Sequence, residues 1–203
     1  IHDLCLDNVS VTGDQNTAAV CAYNGGTLEN LTVAGSIEAK DFAAGIFATS
    51  LPMKEEDETL SKLVNHAKVT ADGTAAGIVA QTKEKVLLED CVNTGVIEAA
   101  VAAGITTAEC ENLVLMRCQN YAPIISSDNE SYGITSNLTA NLTDCVGVSE
   151  NVYPIAADAN ESENCLYFIS GGEKLEDALL ADICDISLTI GETDANGSYR
   201  EYP

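Results

Sequence analysis

Tryptophan is absent, phenylalanine occurs three times and histidine twice, and nine of 203 side chains are basic against 32 acidic ones. Each shortage excludes something. A net charge of −23 leaves too few cations to neutralise a nucleic-acid backbone, which takes Lys and Arg. The same charge opposes docking on an anionic membrane surface. No apolar run approaches the roughly 18 residues of a membrane-spanning helix. The two His, at 2 and 66, supply neither a pair nor a triad for zinc, and no HExxH occurs. His66 follows Asn65 and reads as an exposed turn residue. CxxC is missing, and the eight Cys lack the dense spacing of a small disulfide scaffold. The 46% hydrophobic content excludes a disordered tail. The length allows one large or two small domains.

What is present is a repeat. Leu-x-x-(Leu/Cys), followed six residues later by Ile or Val, recurs as Leu28, Leu31, Ile37; Leu60, Leu63, Val69; Leu88, Cys91, Ile97; and Leu115, Cys118, Ile124. Leu142 and Cys145 begin another copy, and Cys5 with Val11 reads as a truncated first one. The starts at 28, 60, 88, 115 and 142 give steps of 32, 28, 27 and 27. A second motif keeps the same phase: Ala43-Ala44-Gly45-Ile46, Ala75-Ala76-Gly77-Ile78, Ala102-Ala103-Gly104-Ile105 and Ser131-Tyr132-Gly133-Ile134, with Ala18-Ala19-Val20 as a weaker copy.

A period near 27 is too short for helical-pair repeats, which run roughly 33 to 47 residues. Gly, Asn, Thr and β-branched residues punctuate each copy, so the apolar runs read as short strands. A coil of three short strands takes about this length, and copies stacked about 4.8 Å apart place equivalent residues in ladders. Leu31, Leu63, Cys91, Cys118 and Cys145 form one inward ladder, and Ile37, Val69, Ile97 and Ile124 another. Asn65, Asn93 and Asn120 form a polar ladder whose amides hydrogen-bond along the stack. The glycines at 45, 77, 104 and 133 serve a turn, through a positive φ or a close backbone approach.

The segment Ala76-Gly77-Ile78-Val79-Ala80, followed by Cys91-Val92-Asn93-Thr94-Gly95-Val96-Ile97, resembles the GLUG-type repeats of bacterial surface proteins over roughly residues 1–160. The resemblance implies a right-handed parallel β-helix on an exported, often multidomain protein of a host-associated bacterium. It brings no catalytic residues with it. The second Gly of the family's first motif is missing, and several copies are Ala-rich instead. A leucine-rich-repeat horseshoe is the alternative architecture, since Leu28-x-x-Leu31-x-Val33 fits its opening, although later copies lack the third Leu.

The fold expected is therefore all-β: a right-handed parallel β-helix of about six rungs over residues 1–170, with 171–203 as a C-terminal cap or a linker to a following domain. Residues 50–59 read as an acidic loop pushed out of one coil. Residues 173–183 carry Leu175, Leu179, Leu180 and Ile183 at helical spacing, a helix to cover the open end. Ile186–Ile190 alternates like a strand, and residues 194–197 read as a turn before a final one. The chain begins at Ile1 without a signal peptide and reads as part of a longer protein.

Candidate chemistry is thin. The ladder Cys are spaced along a line, whereas zinc takes a tetrahedron, so buried thiols acting as small hydrophobes are the better reading. Disulfides between rungs fit the allowed Cα range, and Cys110 with Cys165 is the pair expected off the ladder. Arg117, between Asp90 and Asp144 one rung either way, reads as a surface charge ladder. Glu55-Glu56-Asp57-Glu58 and Asp158-Ala159-Asn160 offer oxygens to calcium, but neither fits a calcium loop, and a solvated acidic face explains them. No cofactor or metal site is assigned, and calcium is the cofactor that so acidic a chain would most naturally take. Tyr121, Tyr132 and Tyr153 are the candidates for an aromatic binding patch, against ordinary edge packing. The seven Asn-x-Ser/Thr sequons, at 8, 30, 129, 137, 141, 160 and 196, suit glycosylation or simply a chain that turns often. The expected role is a non-enzymatic, exported cell-surface module, a spacer or adhesin-like surface for a protein or glycan. The alternative is a fragment of a polysaccharide-processing β-helix enzyme.

Overall fold

The computed structural model describes residues 1–50, 59–82, 85–107, 113–137, 139–148, 156, 161–170, 188–193 and 199–202. Among them every regular element is a strand, and nearly all pairing is parallel. The chain winds into a β-solenoid of about five turns, where the repeat count predicts about six. A complete coil carries four short strands rather than three: Thr59–Asn65, Lys68–Ala71, Thr74–Ala76 and Val79–Gln81. In other coils the second and third fuse, as in Ile97–Ala103.

Registers between coils fix the ladders. Leu31 lies over Leu63, and the pairs Val64–Val92, Val92–Gln119 and Gln119–Val146 carry the same column through Cys91, Cys118 and Cys145. Ile37, Val69, Ile97 and Ile124 stack on the next wall. All nine side chains are essentially excluded from solvent. Burying each Leu or Ile contributes about 1.5–3 kcal/mol, so the column is held chiefly by its apolar interior.

Two details of the ladder differ from expectation. Leu4, not Cys5, stands over Leu31, while Cys5 pairs with Thr32 and is exposed. A bulge between Leu6 and Val9 absorbs one extra residue and restores Val11 over Ile37. Cys165, expected off the ladder, is its next member. Val146 pairs with Leu166, which places Cys165 beneath Cys145, buried. The last coil is shorter than its predecessors, so the constant period does not find it.

The corner before the inward ladder has a conformational signature. Asp3, Asn30, Lys62, Asp90, Arg117, Asp144 and Asn164 all take φ between 52° and 54°. Each immediately precedes a ladder residue. The left-handed region is costly for most side chains, and Asn and Asp enter it most readily, which is why Asx dominates this column. Arg117 therefore sits at a corner rather than on a strand face. The sequon residues Asn8, Asn30 and Asn129 also have positive φ, so the turn itself accounts for asparagine there.

The solenoid's last described coil continues into an antiparallel pair. Leu188–Thr193 pairs with Leu166–Ser170 and then with Tyr199–Tyr202. An antiparallel strand satisfies the backbone edge that an open parallel stack leaves unpaired. The helix expected over 173–183 lies outside the described residues, as does the acidic run 55–58.

One interior position breaks the pattern. Ser131 takes the place of the inward Ala102 one rung away, and its Oγ is buried without a hydrogen-bond partner among the described residues. A buried unsatisfied hydroxyl costs roughly 1–3 kcal/mol. Ser131→Ala is expected to raise stability by about 1 kcal/mol, read as a higher midpoint in urea. An unchanged or lower midpoint would show that the hydroxyl has a partner.

Candidate functional site

The Ala-Ala-Gly-Ile motif builds a concave corner. Residues 43–48 are all buried, although side chains on a strand alternate between faces. Ala43, Ala75 and Ala102 belong to the interior core, whereas Ala44, Ala76 and Ala103 are equally buried without joining it. The second Ala of each pair therefore faces outward and is covered because the chain folds back over it. A larger residue here would fill the corner.

Outside that corner lies a groove of about 330 Å³ running along the stack. One wall carries Phe42, Thr74, Val101 and Glu130, which occupy one register position on four successive coils. The facing wall carries Gln81, Thr107 and Ser136. Thr107 Oγ1 donates to the Ala80 carbonyl at 2.6 Å. No hydrogen bond within the described residues engages the side chains of Thr74, Gln81 or Ser136, and all three are partly exposed.

Toward the N-terminus the same two walls are tied together. Asn16 stacks on Phe42, and Tyr23 and Thr49 stack on Gln81. Asn16 Nδ2 donates to the Tyr23 hydroxyl at 2.8 Å, and Thr49 Oγ1 donates to Asn16 Oδ1 at 2.9 Å. Toward the C-terminus Tyr132 takes the register position of Ala103, and the residue is 8% exposed. Tyr132 is thus a buried residue, not a surface platform. Tyr121, half-buried, donates its hydroxyl to Gln119 Oε1 at 2.7 Å. Tyr153 lies outside the described residues. The exposed aromatic at the groove's end is Tyr23, at 53%, and its coil carries no clear repeat signature that would mark it in the sequence.

The polar ladder lies inside the coil. Asn65 Nδ2 donates to Asn93 Oδ1 at 2.8 Å, and Asn93 Nδ2 to Asn120 Oδ1 at 2.7 Å. Each amide also closes a local loop two residues on, through the carbonyls of Ala67, Gly95 and Ala122. Gly77 sits against this ladder. A Cβ there would come 2.1 Å from the Gly104 carbonyl oxygen and 2.6 Å from Asn93 Cγ. Gly45 and Gly104 meet Gly77 and Gly133, and Asn65 and Asn120, in the same way. Among the described glycines only Gly35 has positive φ, so close approach rather than a left-handed turn explains the motif glycines.

Arg117 binds two carboxylates on the neighbouring coil, Asp90 Oδ1 at 2.7 Å from Nε and Glu89 from Nη2. Hydrogen bonding to Arg117 holds the Asp90 carboxyl below its ordinary range. The arginine lies at the corner immediately before Cys118 of the inward ladder, and it is not among the groove's described lining. His66 is exposed, with Nδ1 in contact with Thr94 Oγ1. Among the described residues no group of three or more His, Cys, Asp or Glu is placed to hold a metal, and no helix is long and apolar enough to cross a membrane.

The thiols of Cys5, Cys21, Cys91, Cys118 and Cys145 are free. Cys110 lies outside the described residues. Burial pushes the Cys118 thiol well up, and the neighbouring Cys118 does the same to Cys145. Alkylation of the native protein by iodoacetamide at neutral pH is expected at Cys5, with Cys91, Cys118, Cys145 and Cys165 reacting after unfolding in urea. Mass spectrometry that found the four ladder thiols labelled as fast as Cys5 would place them outside the core. Compared with known proteins, the chain matches no family model, no curated protein and no solved structure.

Proposed function

We propose that this chain is a non-enzymatic, exported cell-surface module of the GLUG type, in which the stacked coil is a stiff spacer and the groove an adhesin-like binding surface. The carrying observation is the groove itself, one wall of which holds the same register position over four coils, and whose lining includes Thr74, Gln81 and Ser136, side chains that no hydrogen bond within the described residues engages. A position that recurs at the coil spacing gives an extended partner one point of contact on each coil. The fold alone does not carry this, since one scaffold hosts many functions.

The enzyme alternative, a polysaccharide-processing fragment, finds less support. Hydrolysis by the usual route takes two carboxylates flanking the scissile bond, and Glu130 is the one carboxylate among the described lining residues. The test is a glycan array and a host-matrix pulldown run with the native chain and with Gln81→Arg, which fills the groove with a long cation. Capture by the native chain that the variant loses is the expected result. Capture that ignores the substitution would move the binding surface elsewhere. A calcium-dependent depolymerisation assay on acidic polysaccharides is expected to show no activity; turnover abolished by Arg117→Ala would favour the enzyme.

A further inference from the structure

We infer that the groove takes an uncharged, extended glycan lying along the solenoid axis, a ligand class that rests on the binding-surface reading above. Three observations define it. First, among the described residues the lining offers hydroxyls and an amide and no Lys or Arg, and its single charge there is the carboxylate of Glu130. With a net charge of −23 around it, the site repels polyanions at long range. A polycation would need a row of carboxylates, and the row at that position reads Phe42, Thr74, Val101, Glu130.

Second, the strands run across the groove, and their backbone groups are consumed by pairing with the coils above and below. A peptide strand lying along the groove finds no unpaired edge to extend, so the main-chain bonds that give such peptides their affinity are missing. Recognition must come from side chains. Gln81 brings two donors and two acceptor lone pairs, a match for vicinal hydroxyls, and Thr74 and Ser136 add one hydroxyl each. Phe42 offers a half-exposed ring to the C–H face of a pyranose.

Third, equivalent positions recur about every 4.8 Å along the stack, close to the advance of one pyranose in an extended chain. One sugar then meets one coil, and the four coils of the lining meet four successive sugars. Asn16, Tyr23 and Thr49, bonded across the walls, lie where the chain's end would abut.

The experiment is titration calorimetry with cellohexaose, xylohexaose and mannohexaose, against hexagalacturonate and the cationic chitosan hexamer. The native chain and Gln81→Ala are compared, with thermal melts to verify that the variant is folded. Expected is binding of at least one neutral hexaose, tighter than its own disaccharide and insensitive to added sodium chloride. Gln81→Ala should weaken it about tenfold, equal to about 1.4 kcal/mol. Preferential, salt-sensitive binding of a charged hexamer overturns the inference, and so does neutral binding that Gln81→Ala leaves unchanged. If no neutral hexaose binds while the array or pulldown still shows capture lost in Gln81→Arg, the glycan class is wrong and the binding surface stands. If that capture is missing too, both readings fall.

Discussion

Gly77→Ala is expected to destabilise the solenoid by about 3 kcal/mol or more, a large cost for one methyl group. The added Cβ would lie 2.1 Å from the Gly104 carbonyl oxygen and 2.6 Å from Asn93 Cγ. Neither partner is the free end of a flexible side chain. The first is backbone in the next coil, and the second is fixed in the amide ladder by its bonds to Gly95 and Asn120. Relief therefore requires neighbouring coils to separate, which stretches the parallel pairing between Thr74–Ala76 and Ile97–Ala103. Gly26→Ala is the control. Nothing lies within 4 Å of its added Cβ, so its change should stay within about 0.5 kcal/mol. Urea midpoints for the two variants decide the matter, and equal shifts would mean that the close approach at Gly77 is not a constraint.

Asn93→Leu should be comparably damaging, at roughly 3 kcal/mol, despite adding apolar surface to a buried position. Asn93 accepts from Asn65 Nδ2 and from the Gly95 backbone N–H, and donates to the Gly95 carbonyl and to Asn120 Oδ1. Leucine removes all four bonds while their partners remain buried. An unpaired buried donor costs more than the bond contributed. In a stacked array each coil is supported only by its neighbours, so a break at the central Asn should also loosen the coils on both sides. Amide hydrogen exchange at Gly95 is the direct readout. It should quicken sharply in the variant, and an unchanged rate together with an unchanged urea midpoint would mean that the amide column contributes nothing.

Most of the architecture was legible because a solenoid writes its period into the chain. Stacking coils in register forces like residues to like positions, so Leu31, Leu63, Cys91 and Cys118 declare one wall and Ile37, Val69 and Ile97 another. Reading failed where length varies. The short last coil hid Cys165 from a search for a constant step, and one bulged residue in the first coil made Cys5 look like the ladder residue in place of Leu4.

The groove was not legible at all. Phe42, Thr74, Gln81 and Ser136 look like ordinary outward residues in sequence, since alternation says only that a side chain faces out. Whether an outward side chain meets solvent or another wall depends on the angle between neighbouring strands, which period and composition leave open. The in-phase Asn and Ala-Gly-Ile motifs likewise showed that two positions are coupled to the coil, but not that they touch. Sequence alone thus determined the stacking axis, the inward ladders and the amide column, because those follow from a repeating hydrophobic pattern and a constant strand spacing. Only the tertiary structure decided that the coil closes with four strands, that its motif glycines are small to admit the next coil's backbone and the Asn amides, and that one corner turns inward. Those depend on how far apart opposite walls stand, a distance that no local propensity sets.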